Sequence, residues 1–174
     1  MFLQKSLRAQ ILALLSGSLL AMLLIALASF HFLSDGIQNY RSLIDGPLRA
    51  SQLIDEANLQ FKVQVQEWKN VLLRGKQPAD LEKYWKQFDD RQRDVQNLLG
   101  ELIKHEGVPA SIRTRIERLR GEHAQLGAAY QKGRDAFVSA GADAAAGDAA
   151  VKGVDRAASE QMSELVVELH KLGD

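Results

Sequence analysis

The chain has 174 residues, a formal net charge of zero at pH 7 and no cysteine. That length suits one domain with an appendage and is too short for two large domains. The balanced charge excludes the basic excess of a nucleic-acid binder, and the missing cysteines exclude disulfides, zinc–thiolate sites, c-type haem attachment and thiol catalysis.

The first element in chain order is the run ILALLSGSLLAMLLIALASFHFL at 11–33, which carries no formal charge. It is long enough to cross a bilayer as a helix. Lys5 and Arg8 precede it and Asp35 is the next charge. Basic residues stay on the cytoplasmic side, so residues 1–10 are expected inside and residues 34–174 outside, in the periplasm of a bacterial cell. A cleaved signal peptide is the competing reading, because Ala26-Leu27-Ala28 fits the small-x-small cleavage pattern. The apolar run continues past that cut to Leu33, which favours a retained anchor in the inner membrane.

Ala, Leu, Gln, Glu, Lys and Arg dominate the remainder, and these are helix formers. Pro47, Pro78 and Pro109 each fall between periodic stretches, where a proline opens a helix. After the break Asp45-Gly46-Pro47, a first seam is read as Ile44, Leu48, Ser51, Ile54, Asn58, Phe61, Val65, Trp68 and Leu72. Spacings of three and four are those of helices packing nearly parallel. Gly75 is expected to end this helix in the left-handed conformation.

Pro78 opens a second helix with seam Leu81, Trp85, Phe88, Gln92, Val95, Leu99 and Leu102. Pro109 opens a third with seam Ile112, Ile116, Leu119, His123, Leu126, Tyr130, Gly133, Phe137 and Ala140. GADAAAG at 141–147 is read as a connector, followed by a fourth helix with Val151, Val154, Ala158, Gln161 or Met162, Leu165, Leu169 and Leu172. Short connections make successive helices antiparallel. The expected fold is all-α, an up-down-up-down antiparallel four-helix bundle following one N-terminal transmembrane helix. Trp68 and Trp85 flank the first hairpin and are expected to point inward, holding the end farthest from the membrane.

A short basic N-terminus, one span and the hairpin QVQEWKNVLLRGKQPADLEKYWKQF at 64–88 resemble the N-terminal periplasmic sensor region of bacterial methyl-accepting chemotaxis receptors. The stretch GVDRAASEQMSEL at 153–165 is similar to the last periplasmic helix of such receptors. The resemblance implies a homodimeric bundle that senses a small molecule or a ligand-loaded periplasmic protein. It also implies a signal passed down the last helix to cytoplasmic chemotaxis machinery. Similar bundles precede histidine kinases and diguanylate cyclases, and a tethered or secreted helical binding protein is the other reading. The family's ligand-holding arginines have no matching positions here; Arg49, Arg74 and Arg156 are available basic groups, with solvated placement as the default.

Each seam carries one polar interruption, at Asn58, Gln92, His123 and Gln161. Counted from the distal turns at about 1.5 Å per residue, all four lie within roughly one turn of a common height. A buried polar group without a partner costs about 1–3 kcal/mol, so such a layer satisfies itself, holds water or holds a ligand. These four are the candidate ligand-binding residues, against two structural readings. One is a network that fixes helix register; the other is a rotation that turns Gln92 and Gln161 outward and leaves Met162 in the seam.

No histidine pair stands at i, i+4 and no helix repeats Glu-x-x-His, so no metal site is expected. His123 and Met162 are the one pair able to ligate haem, and a packed core histidine is the simpler account; no cofactor is expected. With no phosphate loop, no nucleophile elbow and no paired carboxylates in a concave strand-end site, catalysis is not expected; Asp89-Asp90 and Glu67 are read as solvating charge on exposed helix faces.

Overall fold

The computed structural model describes residues 7–172, without the side chains of 7, 8 and 38–45. The chain forms two compact units, Met1–Ser42 and Leu43–Asp174. The first contains most of helix α1 (Leu7–Leu43), whose stretch Ala9–Ile37 is long and apolar enough to cross a membrane. Leu14, Met22 and Phe32 on it are exposed, as suits a lipid-facing surface.

In the second unit, a π turn at Ile44–Leu48 contains Gly46 in a non-helical conformation, followed by Pro47. This is the expected break. Helices α2 (Arg49–Arg74), α3 (Pro78–Lys104), α4 (Ala110–Ser139), α5 (Ala144–Val151) and α6 (Arg156–His170) follow. Every described regular element is helical. Around the bundle, α2 packs on α3 and α6, and α4 packs on α3, α5 and α6. The up-down-up-down bundle is therefore built from three long helices and a fourth rod in two pieces.

The break in the fourth rod was not expected. Gly153 has φ +74 and so leaves the right-handed helix, and the Val154 N–H turns back to the Val151 carbonyl at 3.1 Å. The observed connector is shorter than the expected 141–147. Asp143 caps α5 by accepting from the Ala145 N–H at 3.0 Å, so Ala144 to Gly147 are already helical. Gly75 also differs from expectation, with φ −75 rather than a left-handed value. Its missing side chain matters for space instead, because a Cβ there would lie 2.4 Å from the Val71 carbonyl.

Buried seams on α3 and α4 follow the expected residues closely, Phe88, Val95, Leu99, Ile116, Leu119 and Phe137 being fully enclosed. Ala140 at the end of the α4 seam and Leu172 at the end of the α6 seam are exposed. On α2 Ser51, Ile54, Phe61, Trp68 and Leu72 are buried as expected, but between them the inward positions fall to Ala57 and Gln64 in place of Asn58 and Val65, and Ala50 and Val71 are buried as well. Leu48 is exposed and Asn58 and Val65 are half-buried, while Ile44 lies outside the described side chains. Trp68 and Trp85 both point inward, 3% and 9% exposed. Trp68 meets Tyr130 edge-on at 5.3 Å, Trp85 stacks on Phe88 at 4.9 Å, and Arg134 lies over the Trp85 ring. Burying rings of this size contributes about 1.5–3 kcal/mol each.

Candidate functional site

Besides Ser51 at the end of the core near Leu169, the buried polar side chains among the described residues gather at one level, where α2, α3 and α4 bring four polar side chains together. His123 on α4 is wholly buried and so is Gln64 on α2. Gln92 and Gln96 stand one turn apart on α3 and are half-buried. The His123 Nε2–H donates to Gln64 Oε1 at 2.8 Å. Gln96 Nε2 lies 2.8 Å from His123 Nδ1 and donates to the Arg120 carbonyl at 3.0 Å. Gln92 Nε2 donates to the His123 carbonyl at 3.0 Å, and Gln64 Nε2 donates to Gln92 Oε1.

These bonds fix the protonation state. Gln64 Oε1 can only accept, so His123 Nε2 carries the hydrogen; Gln96 Nε2 can only donate, so Nδ1 is bare. The ring is a neutral imidazole with both nitrogens committed. Phe61 meets it edge-on at 5.2 Å. Burial without an anionic neighbour pushes the imidazole down to about 4, because a charged ring would be stranded among amides and apolar groups. No fully buried atom of the network is left unpaired: the buried orphan atoms among the described residues are Trp68 Nε1, Arg113 Nε and Arg134 Nε.

Of the four residues expected in a common layer, the structure brings together Gln92 and His123. Asn58 and Gln161 lie outside the network. On α2 the inward position falls to Ala57, leaving Asn58 half-buried at the flank. On α6 Met162 occupies the core, as the rotated reading anticipated for that helix, and Gln161 donates to Glu122 at 2.6 Å instead. Gln92 did not turn outward. The layer is thus a three-helix network in which Gln64 and Gln96 replace the two displaced residues.

The arginines singled out earlier are at the surface: Arg49 lies 3.9 Å from Glu101, Arg74 donates to the Tyr84 hydroxyl at 3.1 Å, and Arg156 is exposed at the start of α6. A second set of contacts ties down the C-terminal end of α6. Arg115 on α4 reaches Glu164 at 2.8 Å and also pairs with Glu168. Ser51 on α2 donates to the Leu169 carbonyl at 3.1 Å, and His170 meets Asp55 at 2.9 Å. No group of histidines and acids able to hold a metal ion occurs among the described residues.

No family model matches the chain, and no solved structure matches it. It is 57% identical over 172 residues to the methyl-accepting chemotaxis protein CtpH of Pseudomonas aeruginosa. The match covers 99% of this chain and 30% of that relative's length. An apolar helix followed by an all-α bundle, read together with that identity, relates the chain over nearly its whole length to a portion of a methyl-accepting chemotaxis protein.

Proposed function

We propose that the chain is the ligand-sensing, extracytoplasmic portion of a transmembrane chemoreceptor, without catalytic activity of its own. The identity to a chemotaxis protein across 99% of the chain carries this reading. In it residues 1–10 are cytoplasmic, 11–33 span the inner membrane, and 34–174 form a periplasmic sensor that works as a homodimer. A small molecule, free or on a periplasmic carrier, favours one packing of the bundle over another by its differential affinity for the two. The output element is α6. It contacts Arg115, Ser51 and Asp55 on the neighbouring helices, so its displacement is felt by α2 and α4, and the turn at Gly153 lets it move apart from α5.

Within this reading Gln92 and His123, with Gln64 and Gln96, set helix register rather than contact ligand. Their satisfied hydrogen bonds support that assignment. The test is a thermal-shift screen of small metabolites and ions on residues 34–174. It is coupled to a chimera in which residues 1–174 replace the matching portion of a working chemoreceptor. A compound that raises the Tm is expected to change kinase output in cells carrying the chimera. A compound that stabilises the bundle while output stays flat at every concentration refutes the signalling role.

A further inference from the structure

The network around His123 is closed to a second proton. Protonation places an N–H on Nδ1, aimed at the Gln96 amide nitrogen 2.8 Å away, which also donates. Gln96 can turn its amide to offer Oε1 to the ring, but then Oε1 faces the Arg120 carbonyl that Nε2 now satisfies. Either way one hydrogen bond of the network is lost, and a cation remains in the core without an anion. The ionisable groups nearest in sequence to the network are Lys62 on α2, Arg93 and Asp94 on α3, Arg120 and Glu122 on α4, and Glu160 on α6. All are exposed or half-exposed, Asp94 pairs with Arg91 at 3.1 Å, and Glu122 is bound by Gln161. None stands beside the ring to receive its charge.

We infer that His123 is a proton-binding site that couples acidification of the surrounding solution to the packing of α4 against α2 and α3. The proton is taken from solvent only when the helices part enough to wet the ring. Acid therefore draws the bundle from its closed packing toward one in which Gln64, Gln96 and His123 separate. The proton is in this sense a second input, which acts on the core of the bundle and does not rest on the identity of any other ligand.

The test is amide hydrogen exchange of the full chain in detergent micelles, read on α4 residues 119–127 and corrected for intrinsic rates. With the imidazole at about 4 when closed and its ordinary 6.5 when open, the opening constant rises about 20-fold from pH 7 to pH 5. Protection there is expected to fall by that factor, reversibly, while α1 is unaffected. His123→Gln keeps a donor for Gln64 and cannot titrate, so its protection is expected to stay level over the same range. Gln64→Glu sets a carboxylate beside the ring and lets the closed bundle hold the proton, so the acid effect is expected to shrink severalfold. Protection in the wild type that does not depend on pH overturns the inference. So does a Gln64→Glu chain that keeps the full wild-type response, whether or not His123→Gln folds, because the response then belongs to surface carboxylates.

Discussion

One substitution made at two places on α4 separates packing from helix propensity. Gly121 and Gly133 both lie inside the helix, and an added Cβ at Gly121 meets nothing within 4 Å. At Gly133 it would lie 2.5 Å from Val151 Cγ1, 3.0 Å from Trp68 Cη2 and 3.2 Å from Trp68 Cζ2. Alanine is favoured over glycine in a helix interior by about 1 kcal/mol, so Gly121→Ala is expected to stabilise by roughly that amount. The same gain at Gly133 is opposed by overpacking, which costs about 1–3 kcal/mol. The upper part of that range applies because Trp68 is wedged against Tyr130 and cannot swing away. Gly133→Ala is therefore expected to destabilise by about 1–2 kcal/mol net, some 2 kcal/mol or more below Gly121→Ala. Urea unfolding of residues 43–174, followed by helical circular dichroism, measures both. Two stabilising shifts of equal size would falsify the close approach of α4 to α2 and α5 at this level.

Other expectations follow from single contacts. The folded pKa of His123 is depressed, so below its ordinary 6.5 the unfolded chain gains a proton that the bundle refuses. Stability should fall by about 3 kcal/mol as pH drops from about 6.5 to about 4, and His123→Gln should lose that slope in a pH series of urea melts. Ser51→Ala removes donation to the Leu169 and Pro47 carbonyls and should cost about 1 kcal/mol by the same assay. Arg115→Ala breaks two partly exposed ion pairs; a loss of at most about 1 kcal/mol is expected, and it should vanish in molar salt. Trp68→Phe gives up ring area but also the unpaired buried indole N–H, so its cost should stay below about 1 kcal/mol; a loss of 3 kcal/mol would mean that N–H has a partner.

The bundle was legible in the sequence because its breaks are covalent facts, three prolines and the glycines beside them, and because α3 and α4 carry large apolar residues at nearly every inward position. The seam on α2 was legible only in part, for a definite reason. Ile54, Phe61 and Trp68 are each seven apart, and a heptad can be divided as three then four or as four then three. The second division, through Asn58 and Val65, is the one the sequence suggests, since Val65 is apolar where Gln64 is polar. The structure uses the first, through Ala57 and Gln64. Ala57 is small, which lets α2 approach its neighbours closely, and that choice carries Gln64 inward with it. A buried glutamine is unfavourable alone and becomes acceptable only because His123 and Gln92 stand opposite on other helices. The deciding interaction is therefore between residues 59 positions apart, and no periodicity within α2 contains it. The same holds on α6, where Gln161 and Met162 are both admissible by spacing until Glu122 on α4 takes the glutamine and leaves the methionine for the core. His123 could be placed from its own helix, but its partners required the fold. What it pins is likewise visible only there: α3 and α4 are joined through Gln92 and Gln96, and α2 through Gln64, so one side chain holds three helices in register.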